Sequence, residues 1–274
     1  YERLLADPDI DAVYIPLPNA LHREWVIRAA AAGKHVLCEK PMAITADDAR
    51  EMRTACERAG VLLAEAFMYG HHPRYERIRG ILETGELGSI RTVATSFTFD
   101  GSDDLDHSGF QGYPGSGALY DVGCYAIHSA RLLLGLEPEA VTAHALTSVP
   151  HGDIDMSTSA LVEFAGGVSL LLQAGMWNAD ADTIEVVGSA GRLVVPHAFL
   201  CGPGQGDFTV QLASGTRTET VPEVDHYRLE IDDFCRAVRT GSALRYDADD
   251  PVLGAAVLEA ATVSYRERRR VVIR

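Results

Sequence analysis

Three short stretches hold the residues best suited to chemistry. In residues 115–128 a Gly-Ser-Gly turn runs into Asp121, Tyr125 and His128. Their i, i+4, i+7 spacing, at about 100° per residue, predicts a helix face carrying a carboxylate, a phenol and an imidazole. That face follows a long loop (residues 100–117) rich in Gly, Asp and Ser, which is the layout of an acid–base site. With a rise of about 1.5 Å per residue, Asp121 and His128 stand roughly 10 Å apart along the axis and cannot pair. Asp121 and Tyr125 are one turn apart and can touch. The second stretch, Cys38-Glu39-Lys40-Pro41, offers a cation that can donate to a substrate hydroxyl or a cofactor ribose. The third, residues 15–22, holds two prolines that fix a turn and Asn19 as a helix cap.

These stretches need elements to aim them. Residues 1–5 read as helix, 11–15 as a short apolar strand, and 22–32 as a helix stopped at Gly33. A second buried strand spans 35–38. A helix from Thr45 to Ala59 has Asp48 completing a near capping box and Gly60 as its stop, and a third strand spans 61–64. Short apolar strands alternating with helices predict an incomplete doubly wound, Rossmann-like parallel sheet, with the stretches at 38–41 and 15–22 at its carboxyl edge. Beyond Phe67 the pattern changes. A helix (73–84) and a strand (90–99) precede the long loop; a helix (118–134) follows it. Strands are expected at 141–147, 158–164, 168–174, 183–187, 192–195, 208–212 and 216–221, with Gly166-Gly167 as a hairpin turn. Helices at 225–240 and 250–268 and a strand at 270–273 close the chain. The fold class is α/β: residues 1–67 as the later part of a Rossmann-like domain, then 68–274 as an α+β domain with a large, mainly antiparallel open sheet.

Composition narrows the partners. The chain has 274 residues, 47% hydrophobic and 23% charged, with a net charge of −15. A surface so acidic argues against nucleic acid and anionic membranes as partners. Five scattered cysteines without a C-x-x-C pair suggest a reducing, cytoplasmic setting. His71-His72 has no third ligand at metal spacing, so no metal site is expected.

Taken together and in this order, the stretches resemble the glucose–fructose oxidoreductase / inositol dehydrogenase / rhizopine catabolism (Gfo/Idh/MocA) family of NAD(P)-dependent oxidoreductases. The resemblance also covers Asp9–Ile15, Gly33–Pro41, Glu65-Ala66-Phe67-Met68-Tyr69, and Ile184–Gly188 with Gly191-Arg192. It implies that Lys40 is the catalytic lysine, Pro41 follows a commonly cis bond, Asp121 is the active-site aspartate and Tyr125 holds the acid–base position. That position is histidine in inositol dehydrogenases, so Tyr125 places the chain nearer the xylose and dihydrodiol dehydrogenases. By the same correspondence Pro18, Asn19, His22, Glu39, Lys40 and Pro41 contact NAD or NADP, and Tyr69 and His128 contact substrate. The family opens with a strand and a G-x-G-x-x-G turn, neither of which occurs in these residues, so an upstream segment is expected. Gly70 stands where relatives usually carry Arg, a change expected to alter substrate contacts, and Ser116 interrupts the usual triple glycine.

The implied reaction moves a hydride between a sugar, polyol or diol CH–OH carbon and NAD(P), with loss of the hydroxyl proton. A phenol starts near pKa 10, and working at pH 7 costs about 4 kcal/mol. The expectation is that the Lys40 ammonium lowers the Tyr125 pKa to meet that cost, while Asp121 positions substrate or phenol. The open sheet face implies a homodimer or homotetramer. The alternative is a non-catalytic binding or sensor protein for sugar-like ligands on the same scaffold.

Overall fold

The computed structural model describes residues 1–102, 112–246 and 250–273. The part of the glycine-rich loop at residues 103–111 lies outside them. After a short helix α1 (Glu2–Leu5), strands β1 (Ala12–Ile15), β2 (His35–Glu39) and β3 (Leu63–Ala66) form a parallel sheet in that order, joined by helices α2 (Asn19–Ala31) and α3 (Ala46–Ala59). Thr45 caps α3 by accepting from the Asp48 amide at 3.1 Å, and Gly60 ends it with φ 68°. The Val61 amide is spent on the Cys56 carbonyl of that ending. The third strand therefore begins at Leu63, two residues later than expected, and so includes Glu65.

Helix α2 also departs from expectation. It starts at Asn19, with Pro18 at the cap position and no side-chain cap. The Asn19 side-chain amide instead donates to the Gly115 carbonyl at 2.7 Å, tying the stretch at 15–22 to the glycine-rich turn.

A single 3₁₀ turn (Met68–His71) leads from the small sheet to α4 (Pro73–Glu83) and then β4 (Ile90–Asp100). A π-helical segment (Leu119–Gly123) runs straight into α5 (Cys124–Leu134), where one α-helix was expected. The wider π turn changes the facing of Asp121 relative to Tyr125 and His128, so the simple one-face projection fails. Eight strands follow: β5 (Pro138–Ser148), β6 (Ile154–Phe164), β7 (Ser169–Gly175), β8 (Trp177–Gly188), β9 (Gly191–Pro196), β10 (Phe208–Leu212), β11 (Gly215–Glu219) and, after helices α6 (His226–Thr240) and α7 (Asp250–Glu267), β12 (Val271–Val272). With β4 they form a nine-stranded sheet ordered β11-β10-β9-β8-β4-β7-β6-β5-β12. The β4–β7 pair is parallel and the rest are antiparallel. Gly166 and Gly167, at φ 74° and 77°, make the expected hairpin turn.

One face of the large sheet packs on α4 and α5 through a core including Ile78, Ile127, Leu170 and Val186. The small sheet is covered on one side by α2, α3 and α7, through Val26, Met52 and Val252, and on the other by α6, through Phe234. Both helices after the large sheet thus return to the small one. No helix among the described residues is long and apolar enough to cross a membrane.

Candidate active site

The carboxyl ends of β1 and β2 and the turn before the π segment enclose a cleft of about 200 Å³, lined by residues 16–19, Glu39, Lys40, residues 113–116 and Asp121. Gly115 and Gly117 hold positive φ of 81° and 106°. A Cβ at Gly117 would lie 2.1 Å from Asp155 Oδ1, so only glycine passes there. Asp155 is buried and accepts from the Leu119 amide at 2.7 Å, anchoring the start of the π segment that presents Asp121.

Lys40 is the centre of the constellation. Its ammonium donates to the Asp121 carbonyl at 2.8 Å and to the Asp121 carboxylate at 3.2 Å, and lies 4.9 Å from the centre of the Tyr125 ring. The Lys40–Pro41 bond is cis, as the resemblance implied. Burial by itself opposes the charge, but Tyr125 and Asp121 outweigh it and hold the Lys40 pKa well above its ordinary value. Its side chain remains 15% exposed, enough to meet a ligand in the cleft.

Tyr125 sits beneath Lys40, ringed by Phe67, Phe97 and Phe199 at centroid distances of 5.4, 5.1 and 5.3 Å. Its hydroxyl donates to Met68 Sδ at 3.7 Å. Burial drives the phenol pKa above its ordinary value, and the opposing pull of Lys40 does not offset it. The expectation that Lys40 brings the phenol down to neutral pH is therefore corrected: at rest Tyr125 keeps its proton. Lys40 contacts both Asp121 and the Tyr125 ring.

Pro18, Asn19 and Glu39 line the cleft as expected. One Glu39 carboxylate oxygen accepts from the Tyr14 hydroxyl and the other from the Lys40 amide at 3.2 Å. A carboxylate fixed at the tip of a parallel strand fits the ribose hydroxyls of NAD(P), which need a placed acceptor. Four other expected contacts lie elsewhere. His22 has no exposed surface; its Nε2 faces the Leu17 carbonyl at 2.7 Å and its Nδ1 faces the carbonyls of Pro41 and Met42 at 3.1 and 3.3 Å. It joins the two cleft loops from below, and burial holds its pKa down. Pro41 is buried and shapes the turn without facing the cleft.

Tyr69 and His128 are also buried. The Tyr69 hydroxyl bonds His128 Nδ1, and His128 Nε2 lies 3.3 Å from Asp250, which also pairs with Arg131. They form a polar cluster under the site, away from the lining of the cleft. A Cβ at Gly70 would meet the Tyr246 hydroxyl at 1.8 Å. The missing side chain makes room for Tyr246.

Asp250, Asp155, Glu65 and Tyr14 escaped sequence reasoning. Each belongs to a contact far along the chain and carries no local spacing signal.

Comparison with known proteins adds to this geometry. Residues 1–67 match the family described as oxidoreductase family, NAD-binding Rossmann fold, and residues 75–194 match the GFO/IDH/MocA C-terminal domain. A D-xylose 1-dehydrogenase (NADP(+)) of Haloferax volcanii is 39% identical over 260 residues, 92% of this chain and 77% of that protein. The chain belongs to the Gfo/Idh/MocA family. It is an NAD(P)-dependent oxidoreductase, in accord with the mixed α/β architecture above. A dTDP-3,4-didehydro-2,6-dideoxy-alpha-D-glucose 3-reductase of Actinomadura kijaniata is 35% identical over 269 residues, 97% of this chain and 80% of that one. Among solved structures, a 3-ketoreductase from the same organism with NADP and TDP-benzene superposes with a TM-score of 0.90 at 33% identity, covering 96% of this chain and 81% of that one. An aldose–aldose oxidoreductase from Caulobacter crescentus, bound to glycerol, also gives 0.90, at 29% identity, covering 99% and 82%.

Proposed function

We propose that this member of the family moves a hydride between NAD(P) and the CH–OH carbon of a sugar, polyol or diol, with Tyr125 as the acid–base and Lys40 and Asp121 orienting the reacting oxygen. The observation that carries this reading is the Lys40 ammonium, held by Asp121 and poised over the Tyr125 ring at the floor of the cleft. Pro18, Asn19 and Glu39 are the residues that would hold the nicotinamide end of the cofactor, which when bound supplies or accepts the hydride. The substrate class follows the named activities of the relatives and the polar floor, where a fixed cation and carboxylate can bind adjacent hydroxyls.

In the reducing direction Lys40 binds the substrate carbonyl oxygen and Tyr125 supplies the proton. The raised phenol pKa suits this, because the proton is already in place at neutral pH. Oxidation asks Tyr125 to accept a proton and so favours higher pH.

Three further parts belong to this proposal. Residues 1–67 serve the cofactor and 68–274 the substrate and self-association. The uncovered face of the large sheet, with Leu146, Leu161 and Leu171 56%, 40% and 50% exposed, is the surface for a homodimer or homotetramer. The location is cytoplasmic, as the scattered cysteines suggest.

The test is a stopped-flow measurement of NADPH and NADH oxidation by the full-length enzyme against a panel of keto-sugars, with Tyr125→Phe alongside. Loss of turnover in the variant, with its fold kept, supports the assignment. A fully active Tyr125→Phe overturns it.

A further inference from the structure

The turn that carries Lys40 is gripped by two side chains that do not line the cleft. On one side His22 faces the carbonyls of Pro41 and Met42. On the other, Glu65 Oε1 accepts from the Met42 amide at 2.6 Å. Glu65 lies near the carboxyl end of β3, in register with Cys38 of β2, so its backbone belongs to the sheet and does not move with the turn. Met42 itself has no exposed surface. Two residues of backbone separate this anchored amide from the Lys40 side chain.

We propose that Glu65 is a positioning residue for Lys40: through the Met42 amide it fixes the turn so that the Lys40 ammonium meets Asp121 and overlies Tyr125. The inference rests on the role given to Lys40 above. Glu65 acts here as a hydrogen-bond acceptor, not as a counter-charge. Burial, reinforced by Asp250 and Glu39 and opposed by the Met42 amide and Arg131, raises its pKa to about 8, so the carboxyl is largely neutral at physiological pH. A neutral carboxyl still offers its carbonyl oxygen to an N–H, and so does an amide. Glutamine should therefore replace it. A side chain without an acceptor would leave a buried amide unpaired and let the turn shift, and a shift of about 1 Å at a reacting group can cost about 10²-fold in rate.

The test is a set of variants of the full-length enzyme: Glu65→Gln, Glu65→Ala, Lys40→Met and the Glu65→Ala/Lys40→Met double variant. Glu65→Gln should keep kcat within about threefold of wild type, and Glu65→Ala should lower kcat about 10–100-fold with much less change in cofactor KM. In the Lys40→Met background, Glu65→Ala should cost no further turnover, since the group it positions is gone. Should Glu65→Ala fail to fold, Glu65→Met, which keeps the bulk without the acceptor, takes its place in both backgrounds. The proposal is overturned if the loss is the same factor with and without Lys40, or if folded Glu65→Gln is as impaired as Glu65→Ala. A fully active Lys40→Met removes the role of Lys40 itself. An impaired Lys40→Met with an unaffected Glu65→Ala removes only this inference.

Discussion

Helix α5 and the π segment before it serve two regions that are chemically alike and do opposite work. At the cleft, Asp121 and Tyr125 meet Lys40, and the side chains of Lys40 and Asp121 stay 15% and 25% exposed. One turn further, His128 and Arg131 meet Asp250, with both side chains 5% exposed. Each region has a carboxylate, a cation and an aromatic hydroxyl. The cleft leaves its cation open to a ligand. The buried cluster closes every charge on another: Asp250 takes both His128 and Arg131, and Arg131 also bonds Glu137 at 2.7 and 3.1 Å. Residue types alone do not separate a site from a strut; depth and the saturation of partners do.

The largest effect should come from the cleft. Lys40→Met is expected to reduce turnover by about 10²–10⁴-fold, the range for a positioned acid–base group, with the melting temperature nearly unchanged. Tyr125→Phe should fall in the same range and keep its packing, whereas His128→Ala should lose stability together with activity. Urea melts and steady-state rates on the same preparations check this. If His128→Ala is as stable as wild type yet inactive, the two regions have been assigned the wrong way round.

Next in size is the cluster. Asp250→Asn leaves the buried Arg131 without this counter-charge and His128 Nε2 without its carboxylate partner, and should cost about 3 kcal/mol of unfolding free energy, with turnover per folded molecule retained. The same carboxylate sets a pH dependence. Burial opposes its charge, but His128 and Arg131 hold its pKa at about 2, below its ordinary 3.8. A depressed pKa contributes stability above the unfolded value that is lost as pH falls through the folded one. About 2 kcal/mol should thus disappear between roughly pH 4 and pH 2, and Asp250→Asn should flatten that part of the curve.

Much of this was legible in the sequence because it is local. The Thr45 cap, the Gly60 stop, the Gly166-Gly167 turn and the alternation of strand and helix each depend on a few neighbouring residues. The stretches at 15–22 and 38–41 could be placed at one sheet edge for the same reason. What failed depended on distance. Nothing near His22 shows that its ring is used up by carbonyls from residues 17, 41 and 42, and nothing near Tyr69 or His128 shows Asp250, more than a hundred residues away. The π segment was missed because periodicity arguments assume 3.6 residues per turn throughout. Charge on Tyr125 was misjudged because the sequence shows the nearby lysine's type but not the ring of aromatic residues that buries the phenol.

The last effect sharpens the comparison furthest, because it concerns a carboxyl beside the same buried cluster with the opposite sign. Glu230, on α6, is 6% exposed, and its Oε1 has no hydrogen-bond partner among the described residues. It lines a cavity of about 30 Å³ shared with Glu65, His71, His128, Asp233, Tyr246 and Asp250. Burial, with Glu39 adding repulsion, raises its pKa to about 8. For a raised pKa the sign reverses: no penalty exists below the unfolded value near 4.5, and stability falls as pH rises from there through about 8. Glu230→Gln keeps the shape but cannot ionise. It should match wild type near pH 4.5 and exceed it by at least about 1 kcal/mol at pH 8.5, as one pKa unit corresponds to about 1.4 kcal/mol. Asp250→Asn should show the mirror pattern, a loss that grows as pH rises above 2. Guanidinium unfolding of both variants across that range measures the pair directly. If Glu230→Gln is no more stable than wild type at pH 8.5, Glu230 has partners in solution that satisfy its charge, and the contrast between saturated and unsaturated carboxyls around this cavity fails.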